Sequence, residues 1–243
     1  MKSLILFLII ISSVCLFAQS RLYIWKGNVK VDSADVTNDL KITFKTVNFR
    51  CEEDSVIYEG QVYSTVKIGT QCWFKENLNV GVKINGIQNP ANNNIIEKYC
   101  YNDADSSCAL YGAFYTWNEA MQYSSVPASQ GICPSGWHIP TIGDFEELII
   151  SSGNSGNALK AVGQGSGSGA GTNTTGFSAL LTGYKTANGV FNYFGVYGIY
   201  WTSTENNISN ATYFTLNSSN NEIYFFNNTK SLGYNVRCVL DRF

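Results

Sequence analysis

Two cysteines constrain this chain more than any other feature. Cys133 lies in GICPSGWHIPT (131–141) and Cys238 in NVRCV (235–239), and both follow an N-terminus that reads as an export signal. Lys2 gives a positive start, residues 4–11 are wholly apolar, and small Ala18 precedes Gln19-Ser20. That is the pattern of a signal peptide spanning residues 1–18 and cleaved after Ala18. The apolar run is too short for a membrane span, and no later stretch reaches 18 apolar residues. Cys15 raises lipidation as a rival, less favoured because Ser12-Ser13-Val14 is a poor lead-in to a lipidated cysteine. The expected location is extracellular or at the cell surface, where thiols oxidise.

Removing residues 1–18 leaves six cysteines: Cys51, Cys72, Cys100, Cys108, Cys133 and Cys238. An even count in an exported chain favours disulfides over metal. No C-x-x-C spacing occurs, and His138 is the lone histidine, so zinc lacks ligands. Six cysteines allow 15 pairings, and sequence alone does not choose. Nearest-neighbour logic favours Cys51–Cys72 and Cys100–Cys108, leaving Cys133–Cys238. The last closes a loop of roughly 100 residues, worth up to ~4–5 kcal/mol in the chain-entropy model.

The processed chain, about 225 residues, can bury one sizeable core. Charged residues are 14%, against roughly 25% in ordinary soluble domains. With a net charge of −2, nucleic acid and electrostatic membrane docking are disfavoured as partners. Aromatic residues are also 14%, which argues against disorder.

Residues 19–50 read as a short β module with a turn at Lys26-Gly27-Asn28, and residues 51–243 as the main domain. Residues 58–63 resemble a hairpin. Residues 64–74 alternate, with Val66, Ile68 and Trp73 expected to face inward. Leu110, Phe114, Trp117 and Met121 share one helical face, and Thr141 with Asp144 predicts the N-cap of a second helix carrying Phe145 and Leu148. Residues 163–176, rich in Gly, Ser and Thr, predict a long mobile loop. Strands are expected at 177–182, 190–194, 198–203, 211–216, 222–226 and 234–240, with Asn188-Gly189 as a turn. Strands, then two helices, then a run of antiparallel strands is an α+β order.

Five blocks carry a resemblance: KIGTQCWFKENLNVG (67–81), IIEKYCYNDADSSCALYGAFYTWNEAMQY (95–123), GICPSGWHIPT, YWTSTE (200–205) and NVRCV. In this order they resemble the Fibrobacter succinogenes major paralogous domain, a family abundant in surface and secreted proteins of Bacteroidetes and Fibrobacteres. The domain is similar in turn to the formylglycine-generating-enzyme and C-type-lectin fold. HIPTIGDFE (138–146) and YNVRC (234–238) look like that fold's helix-opening and chain-ending landmarks. The resemblance implies two helices packed on a twisted, irregular antiparallel sheet with long loops, here stapled by disulfides.

The chemistry reads as non-catalytic. His138 has no matched nucleophile and is expected to be structural. No two carboxylates are predicted to face each other as a glycosidase requires. The paired C-terminal cysteines that hold copper in formylglycine-generating enzymes are missing, since only Cys238 stands there. The lectin calcium motifs are also missing, so no cofactor is expected, although loop carbonyls and carboxylates leave room for a structural calcium. Trp73, Trp117, Trp137 and Trp201 pattern as core. Residues 206–235 are crowded with Asn, Ser, Thr, Tyr and Phe, a paratope-like mixture. Within them Tyr213, Thr215 and Asn217 form the polar set expected to face outward, Asn220 and Asn221 a hairpin tip, and Tyr224 the next strand's contribution; composition does not choose which face Tyr224 and Phe226 take. The expected function is a secreted or surface binding protein for glycan, protein or small molecule, in that order. The alternatives are an extracellular enzyme acting on polysaccharide or a structural adhesion component without a specific ligand. Oligomeric state is open.

Overall fold

The computed structural model describes residues 21–26, 29–35 and 49–241. The signal-peptide segment with Cys15 and Ala18 lies outside the described residues. The chain divides into two compact units, Met1–Asn48 and Phe49–Phe243. In the first, β1 (Arg21–Lys26) and β2 (Val29–Asp35) pair antiparallel with a register shift between Ile24 and Trp25.

The second unit is mixed α+β and mostly antiparallel. In chain order it contains β3 (Val56–Tyr58), β4 (Gln61–Tyr63), β5 (Thr65–Ile68), β6 (Gln71–Phe74), β7 (Val82–Lys83), β8 (Glu97–Lys98), α1 (Asp105–Tyr111) and α2 (Trp117–Ala120). There follow β9 (Trp137–His138), α3 (Ile142–Ser151), α4 (Gly156–Leu159), β10 (Tyr184–Lys185), β11 (Phe191–Asn192), β12 (Tyr197–Glu205), β13 (Asn210–Asn217), β14 (Ile223–Thr229) and β15 (Val239–Leu240). Two sheets organise it, one in the order β5-β6-β15-β9 and one in the order β12-β13-β14. Disulfides join Cys51 to Cys72, Cys100 to Cys108 and Cys133 to Cys238. They suit an oxidising, extracellular environment.

Helix α3 begins where its sequence directs. Thr141 Oγ1 accepts from the Asp144 amide at 3.1 Å, and Asp144 Oδ2 accepts from the Thr141 amide at 2.8 Å, a reciprocal capping box. Its buried Phe145 stacks on Phe214 of β13 at 4.5 Å, so α3 closes one face of the three-stranded sheet. All four central tryptophans, Trp73, Trp117, Trp137 and Trp201, are buried.

Three local expectations are corrected. Leu110, Phe114, Trp117 and Met121 do not share a helix: α1 stops at Gly112, whose φ of 77° is a glycine conformation, and Phe114 and Tyr115 leave to bridge Tyr99 and Tyr234. Leu110 is accordingly 67% exposed. Residues 163–176 are a loop tied down by main-chain bonds such as Ser166 N–H to Ser218 at 2.9 Å and Gly171 N–H to Gln164 at 2.7 Å. Residues 177–182 form no strand, only a parallel bridge between Lys160 and Ala179.

The 234–240 segment is a stitch rather than one long strand, because successive residues bond different neighbours. The Tyr234 amide donates to Tyr115, Asn235 exchanges bonds with Ile199 and Trp201 of β12, the Val236 carbonyl accepts from Leu78, the Cys238 carbonyl accepts from Phe74, and Val239 pairs with both β6 and β9. Both sheets and the helical region therefore depend on seven residues, which Cys238 pins to Cys133.

Aromatic rings cover three of the four buried cations among the described residues, and of these Lys230 also pairs with Glu205. Lys185 lies over Tyr99 at 4.0 Å, Lys230 over Trp117 at 4.3 Å and Arg237 over Phe177 at 4.3 Å. Arg237 is fully buried and donates to the Phe177 carbonyl and to Asn77 Oδ1 at the core of the stitch.

Candidate functional site

The register of β12-β13-β14 decides which side chains share a face. Tyr197, Ile199 and Trp201 oppose Asn217, Thr215 and Tyr213, and the last two oppose Tyr224 and Phe226. Phe214 and Leu216, with Ile223 and Phe225, take the other face and pack toward α3. Tyr213, Thr215 and Tyr224 thus lie on one face, joined by Phe226, which sequence reasoning could not assign. Cross-strand pairing to Tyr213 is the signal that places it.

Exposure corrects the expectation that Tyr213, Thr215 and Asn217 form an outward polar set. Thr215 is 6% exposed beside buried Ile199. Tyr213 is half-buried, held by Tyr234 at 4.9 Å and Trp201 at 6.4 Å. The three asparagines are committed to local structure, two to the hairpin and one to α4. Asn217 Oδ1 accepts from the Ser219 and Asn220 amides. Asn220 Oδ1 accepts from the Glu222 amide, and Asn221 Oδ1 accepts from Ser155 and Asn157, capping α4. Short polar side chains that can bond their own backbone are used that way here.

What remains outward is aromatic. Tyr224 (38% exposed) stacks on Phe226 (50%) with centroids 5.6 Å apart. Phe226 meets Tyr213 at 6.0 Å, Tyr213 meets Tyr234, Tyr234 meets Tyr184 at 5.8 Å, and Tyr184 stacks on Tyr193 at 5.8 Å, which meets Tyr197 at 5.5 Å. Buried Tyr234 anchors the middle of this seven-ring strip; Tyr193 and Phe226 are its most exposed members. Burial raises the hydroxyl pKa of Tyr213, Tyr184 and Tyr234, so these rings stay neutral at physiological pH.

Elsewhere the chemistry is engaged. An open cleft of about 380 Å³ is lined by Thr204, Glu205, Asn206, Thr212 and Asn227 among others. Within it Thr212 donates to Asn227 at 2.7 Å, and Glu205 is paired with Lys230. Three loop carbonyls that could face a cation, those of Gly169, Asn217 and Asn220, already accept from the Lys160 ammonium. No group of three or more His, Cys, Asp or Glu able to hold a metal occurs among the described residues. No described helix is long and apolar enough to cross a membrane.

His138 sits between two carboxylates, its Nδ1 2.9 Å from Asp241 Oδ1 and its Nε2 3.2 Å from Asp144 Oδ2. Neither ring nitrogen is left to take a proton from a substrate. Burial lowers the imidazole pKa, but the Asp144 and Asp241 hydrogen bonds outweigh it and hold the value above normal. Asp144 is held low: burial pushes it up, and bonds to His138 and Thr141 prevail. A raised histidine contributes its full stability below its unfolded value of about 6.5 and loses it as pH rises through the folded value. The depressed Asp144 contributes above the ordinary carboxylate range and fails below it. His138→Gln should therefore destabilise the fold most near about pH 5–6, by on the order of 1 kcal/mol, with the deficit shrinking toward about pH 8. Paired melting curves across pH check this; a deficit that grows with pH contradicts it.

The second unit is thus a mixed α+β, three-disulfide domain with an aromatic outer sheet face. The chain belongs to the Fibrobacter succinogenes major domain family, whose model matches residues 66–240. No curated protein and no solved structure matches the chain.

Proposed function

We propose that this is an exported, C-type-lectin-like protein, secreted or held at the cell surface after signal cleavage at Ala18, that binds a neutral glycan on the aromatic face of β12-β13-β14 without catalysing a reaction. The observation that carries it is the ring strip from Tyr224 to Tyr197, only partly buried and built of uncharged side chains. Such rings stack on the apolar faces of sugars, and tyrosine hydroxyls with nearby amides supply hydrogen bonds at low entropic cost. Protein as the ligand is the second choice.

Three further observations support the reading. In the cleft lined by Thr204 and Asn227 and in the smaller concavity lined by Tyr111 and Phe194, the sole lining carboxylate is Glu205, which is ion-paired, whereas polysaccharide hydrolysis needs two facing carboxyl groups. The helix-opening HIPT block and the chain-ending NVRC block meet in space, through β9 pairing with β15 and through Cys133–Cys238, as a lectin-like core requires. The three disulfides fit export.

A glycan array probed with protein purified from an oxidising compartment tests this. Binding to neutral oligosaccharides is expected, and Tyr193→Ala and Tyr224→Ala should each weaken it by about 1 kcal/mol, roughly fivefold, with Tm nearly unchanged. Silence across neutral glycans, or binding indifferent to both substitutions, overturns the proposal. Turnover of an arrayed polysaccharide supports the enzyme alternative instead.

A further inference from the structure

The three-stranded sheet has one covered edge and one bare edge. On the β12 side, Asn235 closes the edge by exchanging main-chain bonds with Ile199 and Trp201. On the β14 side the bond from the Lys230 amide to the Ser209 carbonyl sets the antiparallel alternation. It follows that Ile223, Phe225 and Asn227 direct their main-chain N–H and C=O groups away from β13. Among the described residues none of these groups meets a partner. Asn side chains finish both ends of the strand, Asn220 Oδ1 accepting from the Glu222 amide and Asn228 Oδ1 from the Thr229 amide.

Natural sheets blunt such an edge with lysine, proline, a bulge or an inward charge. Residues 223–229, IYFFNNT, contain none of these charges and no proline, and the register across β13-β14 is unbroken. An unguarded, neutral edge is a template for another strand.

We infer that β14 is a self-association edge, pairing antiparallel with β14 of a second copy about a two-fold axis through Phe225. Self-complementarity selects this occupant. In that register the outward main-chain groups of Phe225 meet their own symmetry mates, and those of Ile223 meet Asn227. On the ring-strip face Tyr224 falls opposite Phe226 of the second copy, and Phe226 opposite its Tyr224, giving two aromatic cross-strand pairs and no like-charge encounter. The result is a six-stranded sheet in which two ring strips meet on one face. The inference stands apart from the glycan reading, since association needs no ligand.

Sedimentation velocity on the full exported chain at micromolar concentration tests it. The wild type should sediment as a dimer. Replacing Tyr224 and Phe226 together with lysine places like charges opposite one another and should give a monomer. Tyr224→Lys combined with Phe226→Glu places opposite charges across the two-fold and should restore the dimer. Circular dichroism confirms that each variant is folded. Should either fail to fold, hydrogen exchange on the wild type reads the same edge: the Ile223, Phe225 and Asn227 amides should be protected when concentrated and exposed on dilution. A monomeric wild type, a dimer that survives both lysines, or a Lys/Glu variant as monomeric as the double lysine overturns the inference. So does concentration-independent protection of those amides in a monomer, which would mean that a segment of the same chain covers the edge.

Discussion

Arg237→Ala should lower the unfolding free energy by about 3–5 kcal/mol, the range for emptying a large buried site and stranding its partners. In a domain of this size the loss corresponds to a Tm lower by roughly 6–20 °C. Arg237 fills the middle of the C-terminal stitch, donating to Phe177 and Asn77 and lying between the Phe177 and Tyr200 rings. The alanine variant leaves a cavity and two unpaired acceptors where β6, β12 and the 177–182 segment converge. Arg237→Met separates volume from hydrogen bonding. Burial pushes the guanidinium pKa down, a sign that its charge is desolvated at a cost, and methionine removes that cost while keeping most of the volume. It still strands the Phe177 carbonyl and Asn77, so a smaller loss of about 1–3 kcal/mol is expected. Urea titrations of the three proteins check the order; a methionine variant as stable as wild type would show that the arginine's bonds add nothing net.

The second large effect belongs to the disulfide that pins the same segment. Cys133 and Cys238 are 105 residues apart, Cys100 and Cys108 only 8. In the chain-entropy model, replacing the first pair with alanine should cost ~4–5 kcal/mol and the second ~2–3 kcal/mol, because the longer cross-link restrains far more of the unfolded ensemble. Denaturation of the two double variants side by side measures the difference. Equal losses would place the stabilising effect in local packing rather than in loop closure.

The features legible in the chain are those set by neighbours in sequence or by covalent bonding. Thr141 and Asp144 cap α3 because both ends of a capping box fall within one helical turn. The two short disulfides are near neighbours, which leaves the third as the remaining pair. What misled was a pattern with two readings. The spacing of Leu110, Phe114, Trp117 and Met121 fits a helix, yet Gly112 sits against Asn77 where an added Cβ would come within 2.4 Å of its side chain. Tertiary contact there overrides periodicity. The candidate site was half legible. The Tyr and Phe content of β13 and β14 pointed to the right strands, but Asn217 and Asn220 serve the hairpin's own backbone, Asn221 caps α4, and only cross-strand register separates Phe226 from Phe225. Tyr184, Tyr193 and Tyr197 join the strip through β10, the loop after β11 and β12, contacts between distant segments that no local pattern encodes.

The central claim is that ligand lies on this ring strip, and aromatic-resolved NMR titration with an array-selected neutral oligosaccharide tests it most directly. Ring resonances of Tyr193, Tyr197, Tyr224 and Phe226 should shift together while those of Phe145 and Phe214, buried on the opposite face, stay fixed. Shifts confined to the Thr204–Asn227 cleft, with Phe226 moving while Tyr193 and Tyr197 stay fixed, or spread evenly over both faces of the sheet, would contradict it.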